Sequence, residues 1–364
     1  MRLFLAGDVM LGRGIDQVLA RSVDPVLYEA YVRDARAYVA LAERANGPIG
    51  APLAPAAPWG EALAVLADAA PDARVVNLES AATAHGAPWP GKGIHYRMHP
   101  ANVDVLMVAS IDVAGLANNH VLDWGRAGLL ETLAALHGVG IATAGAGADG
   151  DAAWRPAAVA TPSGRLLVVA AGFADAGIPA AWAAAAGRAG VALVNDPSPA
   201  GADALAAHVA SLRAPGARVV VSLHWGPNWG YDVPAWQRAF AHRLVETGGA
   251  DVVHGHSSHH PKGLEVHHGR LILYGSGDLI NDYEGIGGHD RYRGDLSLLV
   301  LPSLASDGAL AALELVPMRT RRFRLERAPH ADARWLARRL DEASRAFGTH
   351  VRLTGDAALA VDVG

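Results

Sequence analysis

The chain has 364 residues, 51% of them hydrophobic and 18% charged, so it can bury a sizeable core and cannot be disordered throughout. Its 31 Lys and Arg against 36 Asp and Glu leave a net charge of −5, which gives no basic footprint and excludes nucleic acid or anionic lipid as the main partner. Cysteine is absent, so disulfides, thiolate metal sites and cysteine nucleophiles are excluded together, and any metal must be held by nitrogen and oxygen.

Taken in chain order, short apolar runs that stop at polar residues alternate with stretches of helical period, the pattern of an α/β protein. Strands are expected at 2–7, 73–77, 112–116, 141–144, 166–171, 218–223, 251–254, 271–274, 297–301 and 311–316. Helices are expected between them at 16–20, 25–43, 59–69, 100–108, 126–137, 202–212 and 234–246, with a last one at 331–346. The Pro- and Gly-rich stretch 46–58 and the segment 175–200 read as surface insertions. A basic run begins at Arg319, so residues 1–318 are expected as one domain and 319–364 as a C-terminal helical appendage packed on it. No uncharged stretch supplies the roughly 18 apolar residues of a spanning helix, and the N-terminus reads as a strand instead of a signal peptide. A cytoplasmic protein with no membrane insertion is the expectation.

Five strand ends run straight into side chains competent for catalysis or metal binding. They are Gly7-Asp8-Val9-Met10, Asn77-Leu78-Glu79, Ala117-Asn118-Asn119-His120, His224-Trp225-Gly226, and the run His254-Gly255-His256-Ser257-Ser258-His259-His260. Loops at the carboxyl ends of strands converge on one edge of a sheet, and five such clusters are hard to explain as helix caps. Two carboxylates, an Asn carbonyl and several imidazoles make a mixed nitrogen and oxygen set, suited to Zn²⁺, Mn²⁺ or Fe and poorly suited to Ca²⁺. Two such cations would lower the pKa of a shared water and clamp the oxygens of an ester, with Glu79 able to bridge them. The residues therefore point to a dinuclear hydrolase.

At these motifs, and over roughly residues 1–301, the sequence resembles the CapA family of poly-γ-glutamate capsule-synthesis proteins, which look like calcineurin-type metallophosphoesterases. The resemblance implies a four-layer α-β-β-α sandwich of the metallophosphoesterase type with two divalent metal ions at one edge. It implies Asp8 on the first metal, Glu79 bridging, Asn119 and His224 on the second, and His256 and His259 completing the set. It further implies His120 over the scissile bond as general acid or transition-state stabiliser. The chain departs from the pattern at Met10, where a His usually binds the first metal, so that site is expected to be one donor short. It departs again at Gly275-Ser276-Gly277-Asp278, where Asp278 is expected as a supporting carboxylate or an extra base.

Arg13, and Lys92 and Arg97 in the basic aromatic loop Lys92-Gly93-Ile94-His95-Tyr96-Arg97-Met98-His99, are candidates for holding the acid group of a substrate. Trp225 is a candidate wall over the metals, and His260 a rival ligand or substrate contact. The leading expectation is a phosphoester hydrolase acting on a small molecule or peptide that carries phosphate or carboxylate. The alternatives are a component of poly-γ-glutamate or capsule polymer synthesis, and a metal-dependent peptide epimerase that abstracts a proton beside a metal-bound group.

Overall fold

The computed structural model describes residues 1–355 and 357–361. Its sheet-forming strands are β1 (Leu3–Val9), β2 (Ala73–Leu78), β3 (Val113–Gly115), β4 (Ala142–Ala144), β5 (Ala157–Thr161), β6 (Gly164–Phe173), β7 (Leu193–Val194), β8 (Arg218–His224), β9 (Val252–His256), β10 (Leu264–His267), β11 (Arg270–Leu273), β12 (Asp278–Ile280), β13 (Leu296–Leu304), β14 (Leu310–Arg321), β15 (Arg324–Arg327), β16 (Val351–Leu353) and β17 (Leu359–Val361). The longer helices are α1 (Arg36–Asn46), α2 (Ala62–Ala69), α3 (Gly125–Gly138), α4 (Pro199–Leu212), α5 (Ala235–Glu246) and α6 (His330–Ser344). The first sheet has the order β16-β17-β14-β13-β1-β2-β3-β4, with β12 paired to β1 and β15 to β14. The second has the order β7-β6-β8-β9-β11-β10, with β5 on β6.

Alternation along the strands builds the layers. On β1, Leu3 and Leu5 pack into the core between the sheets, while Phe4 and Ala6 pack on the other side with Leu66 of α2 and Leu129 of α3. On β6, Leu166 and Val168 share the inter-sheet core, while Leu167 and Val169 pack with Leu205 of α4 and Phe240 of α5. Period-2 patterning with both faces apolar is what a sheet covered on both sides requires. The outcome is a four-layer α-β-β-α sandwich, as the resemblance implied.

Three stretches differ from expectation. Only Arg36–Asn46 of the expected helix 25–43 is helical. Upstream the chain closes a loop through Ala35 N–H to the Pro25 carbonyl and Leu27 N–H to the Arg33 carbonyl, which carries Glu29 inward to meet Arg13. A buried ion pair has overridden local helical preference there. The segment 175–200 is partly core, since Trp182 is fully buried and β7 joins the second sheet. The C-terminal part is not a helical appendage alone: β14 runs through the expected boundary, and β15, β16 and β17 extend the first sheet. Among the described residues no helix is long and apolar enough to cross a membrane.

α6 places Leu336 and Leu340 in the core between the sheets. Leu340→Ala should therefore lower the unfolding free energy by about 2–5 kcal/mol, the cost of truncating a buried leucine. Denaturant unfolding checks this, and an unchanged midpoint would show that the tail contributes nothing to the core.

Candidate metal centre

The inner faces of both sheets change chemistry along their strands. Inward positions on β8 run Val220, Ser222, His224; on β9, Val252, His254, His256; on β2, Val75 and Asn77, with Glu79 just beyond. In each case an apolar residue sits in the inter-sheet core and the next alternate positions carry donors, so the polar cluster continues the core at the carboxyl edge of the strands. β8 and β9 are parallel, with Ser222 opposite His254 and His224 opposite His256. β1 obeys the same rule only through a bulge. Ala6 lies opposite Val76 and Asp8 opposite Asn77, which leaves Gly7 unpaired and turns Asp8 to the inner face. A Cβ at Gly7 would come 1.8 Å from the Gly277 carbonyl oxygen, which accepts the Asp8 amide at 3.0 Å, so only glycine permits this approach.

At this edge two groups of three residues have ligand atoms within 4.8 Å of one another: Asp8, His224 and His256, and Asp8, His259 and Asp278. Asp8 is common to both. Its Oδ1 accepts from Asn77 Nδ2 at 2.7 Å and its Oδ2 from the Ser257 amide at 3.1 Å, the latter from a backbone in the left-handed region with φ 96°. His256 Nδ1 lies 3.6 Å from Asp8 Oδ1 and 2.9 Å from His224 Nδ1. His224 Nε2 lies 3.2 Å from Asn119 Oδ1 and 3.8 Å from Glu79 Oε1. The structure thus gathers Asp8, Glu79, Asn119, His224, His256 and His259 at one place.

Asp278 stands inside this set. β12 lies parallel to β1 with Asp278 opposite Asp8, and His259 Nδ1 meets Asp278 Oδ1 at 2.9 Å. It offers a third donor on the side where Met10, buried in the core, offers none.

Electrostatics show what the cluster lacks. Burial, then the neighbouring Asp278, pushes Asp8 up to about 7. Burial, Asp8 and Asp278 hold the Glu79 carboxyl well above the usual range. Burial pulls His224 and His256 well below the ordinary imidazole value, which leaves them neutral and able to donate lone pairs. At His259 burial also pulls downward, but the bonded Asp278 outweighs it and the net shift is upward. Glu79 Oε2 is buried without a hydrogen-bond partner, which a native carboxylate oxygen seldom tolerates. Carboxylates, neutral imidazoles and an amide oxygen with one oxygen unsatisfied fit divalent cations.

His120 lies beside this set, with Nε2 3.7 Å from Glu79 Oε1. Its Nδ1 meets Asp123 Oδ2 at 2.6 Å, which assigns the proton to Nδ1 and leaves the Nε2 lone pair directed at the centre. Burial, then Lys92, depresses its pKa to about 4. Asn118, absent from the expected site, shapes the turn: its Oδ1 accepts the His120 and Val121 amides at 3.1 and 3.0 Å, and its Nδ2 donates to Asn77 Oδ1 at 3.1 Å. The readiness of Asn to bond its own following backbone was the available signal.

Residues 2–283 match the family model described as the bacterial capsule synthesis protein PGA_cap. The chain belongs to that family. It is 48% identical over 362 residues to the "Probable polyglutamine synthesis accessory protein" of Mycobacterium tuberculosis, covering 99% of this chain and 95% of that protein. It is 28% identical over 193 residues to the "PGA biosynthesis protein CapA" of Bacillus subtilis, covering 52% and 48% respectively. Among solved structures, the 5'-nucleotidase precursor of Thermus thermophilus aligns with TM-score 0.46 and 13% identity over 88% of this chain and 54% of that one.

In this PGA_cap chain the residues expected to touch substrate are largely engaged elsewhere. Arg13 is buried: its Nε and Nη2 bond Asp282 at 3.1 and 2.5 Å, its Nη1 bonds Glu29 at 2.9 Å, and Tyr38 and Tyr96 cover its faces. Lys92 donates to Asp123 and to the Asn119 carbonyl and lies 3.0 Å from His120 Nδ1, so it braces the histidine instead of reaching for an anion. Arg97 turns away, over the Trp124 ring and toward the Asp24 carbonyl. Trp225 is a core residue among Phe173, Trp236 and Phe240, because aromatic area is worth more buried than exposed. His260 uses both nitrogens on the backbone, accepting from Gly230 N–H and donating to the Pro261 carbonyl, each at 3.1 Å. Its ring is buried, and neither nitrogen faces the centre unbonded. The wall is supplied by Trp229, Tyr96 and Tyr283, which with His259 and Asn281 line a cleft of about 1110 Å³ that opens onto the centre.

A cation entering the centre must displace the proton that Asp8 holds below about pH 7. Mn²⁺ affinity should thus rise about tenfold or more from pH 6 to pH 8, as expected for one acid of that pKa. Calorimetric titration of metal-free protein at both values checks this; equal affinities would remove Asp8 from the ligand set.

Proposed function

We propose that this chain is a dinuclear metal-dependent phosphoester hydrolase that acts as an accessory enzyme in making a glutamate-based polymer. The observation that carries the metal reading is the pair of donor triads sharing Asp8, with Glu79, one of whose oxygens is buried without a partner, beside His224 and His120. The polymer reading is supported by the names of the relatives, among them the polyglutamine synthesis accessory protein that resembles the chain over almost its whole length.

In this reading Asn119, His224 and His256 would hold one ion, His259 and Asp278 the other, with Asp8 and Glu79 between them. Manganese, zinc or iron ions bound there would supply Lewis-acid stabilisation of the charge that develops as an ester is cleaved. The chain's own residues do the rest. Trp229 and Tyr283 bound the cleft that admits a phosphate- or carboxylate-bearing small molecule or peptide and excludes bulk water. His120 moves a proton at Nε2, on the side of the centre, and Asp123 fixes the tautomer that keeps Nε2 available. Lys92 neutralises Asp123 and ties it to the Asn119 backbone, so ligand and proton carrier move as one unit.

A panel of phosphate mono- and diesters with Mn²⁺, Zn²⁺ and Fe²⁺ tests the activity. Wild type should turn over at least one class, and His120→Asn should bind metal as wild type does while turning over about 10²–10⁴-fold more slowly. Absence of turnover by fully metallated wild type on every ester would overturn the hydrolase reading. Loss of metal in His120→Asn would place that residue among the ligands.

A further inference from the structure

A second group of donors lies on the opposite side of the second sheet. α5 presents His242 and Glu246, four residues apart and hence on one helical face, to Glu265 and His267 of β10, two apart and hence on one strand face. His242 Nε2 meets Glu265 Oε1 at 3.0 Å, and His267 Nε2 meets Glu246 Oε1 at 3.1 Å. The His242 and His267 rings stack in parallel with centroids 3.7 Å apart. His242, Glu265 and His267 have ligand atoms mutually within 4.8 Å.

We propose that His242, Glu265 and His267 form a second, peripheral site for one divalent transition ion of the zinc class, which clamps α5 to the edge strand β10. Two imidazoles and a carboxylate are a common three-ligand zinc set, and bonds of 2.0–2.1 Å at tetrahedral angles put donors about 3.3 Å apart. The separation of His242 and Glu265 is already close to this. Glu265 is almost fully buried and is held in place by the Tyr274 hydroxyl, which donates to its Oε2 at 2.6 Å, so the carboxylate is fixed before any ion arrives. Arg238 Nη2, which meets Glu265 Oε1 at 3.1 Å, is the competitor that must swing out, and its half-exposed side chain would leave the Phe347 ring to do so. Position gives the clamp its effect: β10 ends the second sheet, and its Leu264 and Val266 amides are capped by the Ser344 and Thr349 hydroxyls. An ion at this place would pin the same edge from its other side.

The site shares no residue with the centre at Asp8, so its test does not depend on the hydrolase reading. Wild type, His242→Gln, His267→Gln and His268→Gln are equilibrated with excess Zn²⁺, desalted and assayed for zinc, with circular dichroism to confirm folding. Wild type and His268→Gln should retain one equivalent more than His242→Gln and His267→Gln. Zinc should also raise the melting temperature of wild type more than that of the two depleted variants. Equal zinc content in wild type and in either folded His242→Gln or His267→Gln overturns the proposal.

Discussion

Asp8, Glu79 and Asp278 are three carboxylates buried together at the end of a hydrophobic core, and among the described residues their ion-pair partners are histidines, with no lysine or arginine bonded to them. The two basic side chains nearby are occupied, Arg13 by Glu29 and Asp282, and Lys92 by Asp123. Uncompensated charge in such a place costs several kcal/mol per group, so the acids must hold protons, share the charge of His259, or meet cations. The raised pKa of Asp8 and the unpartnered oxygen of Glu79 are two signs of that one shortage of positive charge.

The fold is arranged to keep the acids there. Gly7 and the bulge turn Asp8 inward, Gly277 brings β12 against it, and Ser257 accepts a left-handed backbone, at an order of 1–3 kcal/mol, to aim its amide at Asp8. Neither a bulge nor such a backbone improves packing. Both make sense as strain held at a site by the apolar layers beneath it, where the same strands carry Val75, Val220 and Val252. Structure and chemistry are therefore joined along single strands, apolar at the amino end and rich in donor groups at the carboxyl end.

Much of this was legible in the sequence. Apolar runs located the strands of the first sheet's centre and β6, β8, β9 and β11 of the second, though not β5, β7 or β10, and the polar residues that end them are those the structure gathers. What escaped depends on three-dimensional partners. Lys92, Arg13 and Arg97 read as anion contacts because a charge in a loop carries no record of the acid or ring that will engage it. Trp225 follows His224 in sequence, yet strand alternation sends it to the opposite face, into the aromatic core. Asp278 was legible as a supporting carboxylate or extra base but not as a member of the donor set, since it begins a three-residue strand too short for any periodic signal, and β16 and β17 are equally brief. The helix expected before Arg36 failed because Glu29 must reach Arg13. Family membership, in turn, narrows the biological setting without fixing the reaction, since chemistry resides in the site and not in the fold.

The central claim is that cations complete the charge of the Asp8 centre, and crystals grown with Mn²⁺ test it most directly through anomalous scattering. The account predicts two peaks, one against His224 and His256 and one against His259 and Asp278, with Asp8 between them. An ordered, fully occupied Asp8 cluster with no peak beside it at saturating Mn²⁺ would contradict the account.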